Sequence, residues 1–284
     1  MNFFKKIKSI IPTYQKHGLD GVLYALLKNL KINTKFVSII DKKKYHIEKK
    51  IIKLTNGNVI NGFYKSSKLT CKTHWGGFDN SSKLIGLYEE QVQFKAVDLQ
   101  VKYGLEYIVN FGSGDGYHVI GLLKNKYYKE GLAFEINKLG QENIKENLLL
   151  NDLSDKVKIF DKADFNIVNK NLSRIQLKKT LFIVDIEGAE FELFDKANFE
   201  VFKESTLIIE NHDFLANKKK VDIFFDLMNK NFNLEILNNG SRNPFEIPVI
   251  ENFEEDEKWL MMSEGRKKNM NWLIFTPKNY EANT

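Results

Sequence analysis

The segment that most restricts this chain runs from Glu106 to Leu123, EYIVNFGSGDGYHVIGLL. Tyr107, Ile108 and Val109 make a short apolar run that ends in β-branched residues. Gly112, Gly114 and Gly116 then alternate with Ser113 and Asp115. Apolar residues resume at Val119, Ile120, Leu122 and Leu123, now at helical spacing. This order predicts a buried strand, a glycine-rich turn and a helix. In a doubly wound α/β sheet, such a unit presents bare backbone and a helix N-terminus to a nucleotide-like ligand.

The glycine spacing narrows the ligand. A dinucleotide fingerprint needs a third glycine at position 117, which is Tyr117. The pattern here, G-x-G-x-G, resembles the first motif of class I S-adenosylmethionine-dependent methyltransferases. Those usually carry an acid two positions before the first glycine. Asn110 stands there instead, able to hydrogen-bond but without charge. Residues 131–134 read as the next strand, and Glu135 ends it. That acid follows Gly112 by about the 20 residues typical of a carboxylate that grips a ribose diol.

Composition sets wide bounds. The 284 residues suffice for one large or two small domains. Hydrophobic content of 43% and charged content of 28% are those of a globular protein. The net charge of +6 lies in runs such as Lys42-Lys43-Lys44 and Lys218-Lys219-Lys220, which usually form solvated faces. It gives no clear nucleic-acid signal. Cys71 is the single cysteine, so no intrachain disulfide can form, as expected of a cytoplasmic protein. No run approaches the apolar length of a transmembrane helix. Residues 1–31 carry a basic amphipathic pattern. Such a start packs on its own domain more often than it makes peripheral contact with an anionic membrane.

Between Tyr45 and Tyr64 the period is closer to two, with Asn56-Gly57 between apolar runs, which predicts a β-hairpin. Residues 1–80 therefore read as a small α+β appendage, and residues 81–284 as the main domain. Trp75-Gly76-Gly77 lies in the polar connection. A helix follows from Ser81 or Ser82 through Leu99, with Tyr88-Glu89-Glu90 inside it. After Glu135 come a helix to Leu150, a strand over 157–160, and Asp161 and Asp164 at its end. Asp164 fits an adenine contact or a helix cap. Leu181 to Val184 is a buried strand that ends in Asp185, with Glu187 and Glu190 around Gly188. The next strand ends in Glu210, Asn211 and His212. Residues 232–237 and 272–276 are the last strands. Strands alternating with helices predict a Rossmann-like, doubly wound, mostly parallel sheet, with the closing pair as an antiparallel edge.

Taken together, VNFGSGDG, AFE, VDIEGAE, IIENH and SEGR…MNWL resemble the FkbM family of methyltransferases, across roughly residues 81–276. The resemblance implies a class I methyltransferase fold, S-adenosylmethionine as cofactor, and O-methylation, often of sugars or glycosylated natural products. It implies cofactor contacts at Asn110, Gly112, Ser113, Gly114, Gly116, Glu135, Asp164 and Asp185. Asp185, Glu187, Glu210 and His212 match the acidic and histidine positions nearer the chemistry. Glu264 and Arg266, with Glu187, are candidates for substrate contact.

A sugar hydroxyl has a pKa near that of water, about 15.7, against about 6.5 for histidine. Full proton transfer beforehand would cost about 12 kcal/mol. His212 is therefore expected to take the proton as the C–O bond forms. The other route is a divalent ion, Mg²⁺, held by Asp185, Glu210 and Asn211. Two other functions fit parts of the pattern. One is RNA methylation, which the sequence does not favour, because no Asn-Pro-Pro-aromatic box follows Asp185. The other is a non-catalytic S-adenosylmethionine-binding module, which the missing acid at Asn110 permits. The acceptor's identity and the oligomeric state are not written in the motifs.

Overall fold

The computed structural model describes residues 19, 22, 39–72, 79–264, 268 and 270–279. Most of the basic amphipathic start, Trp75-Gly76-Gly77 and Arg266 lie outside the described residues.

Seven strands form one sheet: β1 (Tyr107–Phe111), β2 (Glu130–Phe134), β3 (Val157–Phe160), β4 (Thr180–Val184), β5 (Thr206–Glu210), β6 (Phe232–Asn238) and β7 (Asn271–Pro277). Their order is β3-β2-β1-β4-β5-β7-β6. The first five strands run parallel, while β7 is antiparallel to both β5 and β6. This is the Rossmann-like sheet that the alternation of strands and helices predicts, with the expected antiparallel edge.

The helices are α1 (Ile39–Thr55), α2 (Asn80–Leu84), α3 (Glu90–Tyr103), α4 (Tyr117–Lys124), α5 (Lys138–Leu150), α6 (Phe165–Asn171), α7 (Arg174–Lys178), α8 (Glu190–Leu193), α9 (Phe199–Phe202), α10 (Lys218–Asn231) and α11 (Glu255–Met261). Helices cover both faces because the strands are apolar on both. Ile108, Leu181 and Ile183 point into one core layer with residues of α1, α3, α4 and α5. Val109, Phe182 and Val184 point into the other, where Phe111, Phe134, Phe165, Phe194 and Phe202 interlock. Each such buried side chain contributes about 1.5–3 kcal/mol of burial.

Two local expectations are corrected. The first half of the stretch read as a hairpin belongs to the 17-residue helix α1, and the rest is turns and irregular chain. Ile47, Ile51 and Thr55 are buried at intervals of four, a helical stripe. Asn56 and Gly57 do adopt positive φ (50° and 74°), but they end a helix rather than turn a hairpin. An αL pair serves either purpose, and the flanking residues decide. Among the described residues, the only pairing here is the single bridge Asn58–Lys68. This region is built into the main core, since Ile47, Ile51, Val59, Tyr64 and Leu69 share a cluster with Leu84, Ile183 and Ile274.

The helix expected from Ser81 to Leu99 is two helices, α2 and α3, with a corner over residues 85–89. Gly86 has φ 78°, and a Cβ there would lie 2.0 Å from the Asn61 carbonyl oxygen. The chain must bend where the 61–62 turn presses against it. The corner leaves Glu89 at φ 46° with its side chain buried.

Candidate active site

The C-terminal ends of β1, β2, β4 and β5 open into a cavity of about 1140 Å³. In a doubly wound sheet this crevice, where the strand order reverses, is the ligand edge. Here the reversal falls between β1 and β4.

The β1–β2 end is built by the glycine turn. Gly112, Gly114 and Gly116 have φ of 76°, 59° and 85°. At Gly112 a Cβ would stand 1.7 Å from the Asp185 carbonyl oxygen, so only glycine lets the turn lie against the end of β4. The amides are not bare, contrary to expectation. Gly112 and Ser113 donate to the Phe134 carbonyl (3.0 and 2.9 Å), and Gly116 donates to Ser113 O (2.8 Å). The Gly114 amide donates to Glu135 Oε2 at 2.8 Å, and Asn137 N donates to Oε1 at 2.8 Å. Each carboxylate oxygen accepts more than one hydrogen bond, so Glu135 keeps capacity for hydroxyls. Asn110 Nδ2 donates to Ile183 O on β4 at 3.1 Å, and Ser113 Oγ donates to Asn110 O at 2.8 Å. An acid at position 110 could not make the first of these bonds. Its amide ties β1 to β4 beneath the cavity.

The β4–β5 end is crowded with acids. His212 is buried, and its Nδ1 meets Glu190 Oε1 at 3.1 Å. Glu190 is fully buried and also accepts the His212 and Gly188 amides. With the Nδ1 proton directed at Glu190, Nε2 turns to Glu210 Oε2 (3.4 Å), Glu187 Oε2 (3.7 Å) and Asp185 Oδ1 (3.8 Å). Burial disfavours the imidazolium, but the Glu190 hydrogen bond and the charges of Glu210, Glu190 and Glu187 outweigh it, raising the His212 pKa. Asp185 Oδ1 is buried without a hydrogen bond, although about a third of that side chain is exposed. Burial, and then the adjacent Glu210 carboxyl, push the Asp185 pKa well above the usual carboxylate range.

A third wall comes from the corner before α3 and from α4. His118 Nε2 meets Glu89 Oε2 at 2.7 Å, and its Nδ1 meets the Tyr64 hydroxyl at 3.0 Å. Arg242 pairs with Glu264 and donates to Leu87 O, and Glu264 accepts the Glu89 amide. Beneath the glycine turn, buried Lys83 bridges Asp115 (2.8 Å) and Asp79 (3.2 Å). Burial opposes its charge, but Asp115 and Asp79 hold its pKa above the usual lysine value.

The structure thus gathers Asn110, Gly112, Ser113, Gly114, Glu135, Asp185, Glu187, Glu210, His212 and Glu264 around one cavity. Asp164 caps α6, its side chain accepting the Asn166 amide at 2.7 Å, and Asp161 is the acid of that strand end that lines the cavity. Asn211 is not among the residues lining the cavity, and its Oδ1 accepts the Asp213 amide at 3.3 Å. Asp185, Glu187 and His212 instead bring one donor atom each within 4.8 Å of one another. Sequence reasoning missed Lys83, Asp79, His118 and Arg242, which lie in ordinary helical or loop contexts. For Glu190, its position two residues after Gly188 was the only signal.

No family model matches the sequence, and no curated protein matches it. Solved structures with a similar chain path include an O-methyltransferase from Bacillus cereus in complex with SAH. It is 14% identical, with 66% of this chain and 81% of that chain covered and a TM-score of 0.45. The O-methyltransferase TomG from Streptomyces achromogenes, in complex with SAM, is 9% identical, with 66% and 78% covered and a TM-score of 0.44. TrmK from M. capricolum, in complex with S-adenosylhomocysteine, is 15% identical, with 66% and 67% covered and a TM-score of 0.40. At such identities the likeness is one of architecture alone.

Proposed function

We propose that this protein is an S-adenosylmethionine-dependent O-methyltransferase acting on a sugar, glycan or other small polar hydroxyl acceptor, of the FkbM type that its motifs resemble. One observation carries the reading. The glycine turn with Glu135, after β1 and β2, and His212 after β5, held by Glu190, meet at the same cavity.

The cavity fits the cofactor through its own donors and acceptors. Glu135, fixed by the Gly114 and Asn137 amides, stands where a ribose diol would donate to it. Asp185 and Glu210 give the neighbouring strand ends a negative field, which suits a cationic sulfonium. When bound, S-adenosylmethionine supplies an electrophilic methyl group. The residues of this chain then orient the acceptor and manage its proton. Glu190 holds the imidazole with Nε2 toward the cavity, the role of the buried acid in a catalytic triad. His212 Nε2 takes the hydroxyl proton as the nucleophile attacks.

A second reading, a divalent ion at Asp185, Glu187 and His212, is favoured by the 4.8 Å clustering of their donor atoms. An imidazole among the ligands suits Mg²⁺ less than it suits softer metals.

The test is calorimetry with S-adenosylhomocysteine, followed by transfer from labelled S-adenosylmethionine into a carbohydrate extract with and without chelator. Binding, and transfer that survives chelation and falls about 10²–10⁴-fold in His212→Ala, is expected. No binding at saturating ligand removes the reading. Loss of transfer on chelation moves the chemistry to the metal.

A further inference from the structure

The chain before residue 81 carries none of the site motifs, yet one of its side chains backs the third wall of the cavity. Tyr64 is fully buried. Its ring lies on α4 at Gly121, where a Cβ would stand 2.2 Å from the ring Cγ. Glycine weakens a helix interior relative to alanine, so α4 gives up stability to admit this ring. The Tyr64 hydroxyl meets His118 Nδ1 at 3.0 Å and has no other hydrogen-bond partner among the described residues. A buried phenol O–H needs an acceptor. Nδ1 is that acceptor, so the ring proton sits on Nε2 and is donated to Glu89 Oε2 at 2.7 Å. Glu89 receives that bond as a carboxylate.

Glu89 is 3% exposed but lines the cavity. Its φ of 46° is left-handed, a strain that a glutamate bears only where the surrounding structure imposes it. Glu264 accepts the Glu89 amide at 3.4 Å and pins it there. After burial and Glu210, the Glu89 charge is the next influence that raises the Asp185 pKa, in keeping with two acids that face one space.

A sulfonium carries three branches. In the reading above, the adenosyl branch runs to Glu135 and the methyl faces His212. The amino-acid branch is left with the third wall, where Tyr88 and Glu89 meet Tyr117 and His118 beside the glycine turn. That branch carries an ammonium, with three donors and no acceptor, which a carboxylate receives in a charge-assisted hydrogen bond.

We propose that Glu89 receives the α-ammonium group of S-adenosylmethionine, and that Tyr64, acting through His118, is the positioning residue that keeps Glu89 in the accepting state. The segment before residue 81 thereby completes the cofactor site. This rests on the methyl-transfer reading above and deepens it.

The test compares two ligands by calorimetry on the full chain. S-adenosylhomocysteine keeps the amino-acid branch. 5′-Methylthioadenosine keeps the adenosine and the sulfur but lacks that branch. The wild-type protein is expected to hold S-adenosylhomocysteine about tenfold more tightly. Glu89→Gln should weaken S-adenosylhomocysteine about tenfold and leave 5′-methylthioadenosine unmoved. Tyr64→Phe keeps the ring against Gly121 and removes only the hydroxyl. It should weaken S-adenosylhomocysteine about threefold, again with 5′-methylthioadenosine unmoved, although Tyr64 does not line the cavity. A variant that merely loosens the fold would weaken both ligands alike. Equal losses for both ligands, or unchanged S-adenosylhomocysteine affinity in Glu89→Gln, overturns the proposal. Unchanged affinity in Tyr64→Phe overturns the role of Tyr64. Wild-type protein that binds the two ligands equally well also overturns the proposal, while binding of neither would instead fell the methyl-transfer reading.

Discussion

The two ends of the cavity are built on opposite plans. At the β1–β2 end the polar groups of the turn are met within the protein: the Gly112 and Ser113 amides by Phe134 O, the Gly114 amide by Glu135, and Lys83 by two aspartates. At the β4–β5 end, Asp185, Glu187, Glu190 and Glu210 crowd around one histidine, and Asp185 Oδ1 has no hydrogen bond. The first plan gives a rigid shape that exists before a ligand arrives, so little is spent ordering it. The second keeps groups in protonation states that the surroundings strain, as acid–base chemistry requires. One end is internally satisfied; the other is held short of neutrality.

The sharpest way to break the contrast is to unfinish the finished end. Lys83→Met leaves Asp79 and Asp115 buried with their shared cation gone. It is expected to cost about 3–5 kcal/mol, read by urea unfolding, and to abolish S-adenosylhomocysteine binding with the distorted turn. A loss within 1 kcal/mol would show that the triad is not holding the turn.

Glu135→Gln is smaller. It keeps an acceptor for the Gly114 amide but removes the charge, so S-adenosylhomocysteine should bind about tenfold more weakly while 5′-methyl-thioether analogues lacking the ribose hydroxyls lose nothing. Equal losses for both ligands would move the ribose contact elsewhere.

Glu190→Gln probes the reacting end. Because His212 carries a raised pKa, transfer that needs a neutral Nε2 should rise with pH through a value above about 6.5. Replacing Glu190 should carry that limb to lower pH and reduce kcat about tenfold, with S-adenosylhomocysteine affinity in place. The stability linkage has its own sign. A raised histidine pKa contributes fully below about 6.5 and is lost as pH climbs through the folded-state value. The variant should therefore flatten thermal stability over that window. An unmoved limb would separate Glu190 from the chemistry.

Much of this was legible in the chain because local signals and global fold agree. The apolar runs ending in Asn110, Glu135, Asp185 and Glu210 are buried on both faces, and only a doubly covered parallel sheet buries both. Where signals were shared between structures, the reading failed. Asn56-Gly57 supplies left-handed geometry to a helix end as well as to a hairpin. The bend at Gly86 depends on Asn61 pressing on it from 25 residues upstream, which no window of sequence reports.

The sequence by itself determined the strand-turn-helix unit, the place of Glu135 at the end of β2, and the delivery of acids and an imidazole to the ends of β4 and β5. These follow from spacing along one stretch of chain. Tertiary structure alone decided what those groups do to one another. It set Trp272 in register with Glu210, closed Glu89 onto His118, and fixed Lys83 beneath the glycine turn. The reason is that proton affinity and hydrogen-bond satisfaction depend on distances across the fold, through burial and neighbouring charge, and those distances arise only once the sheet has closed.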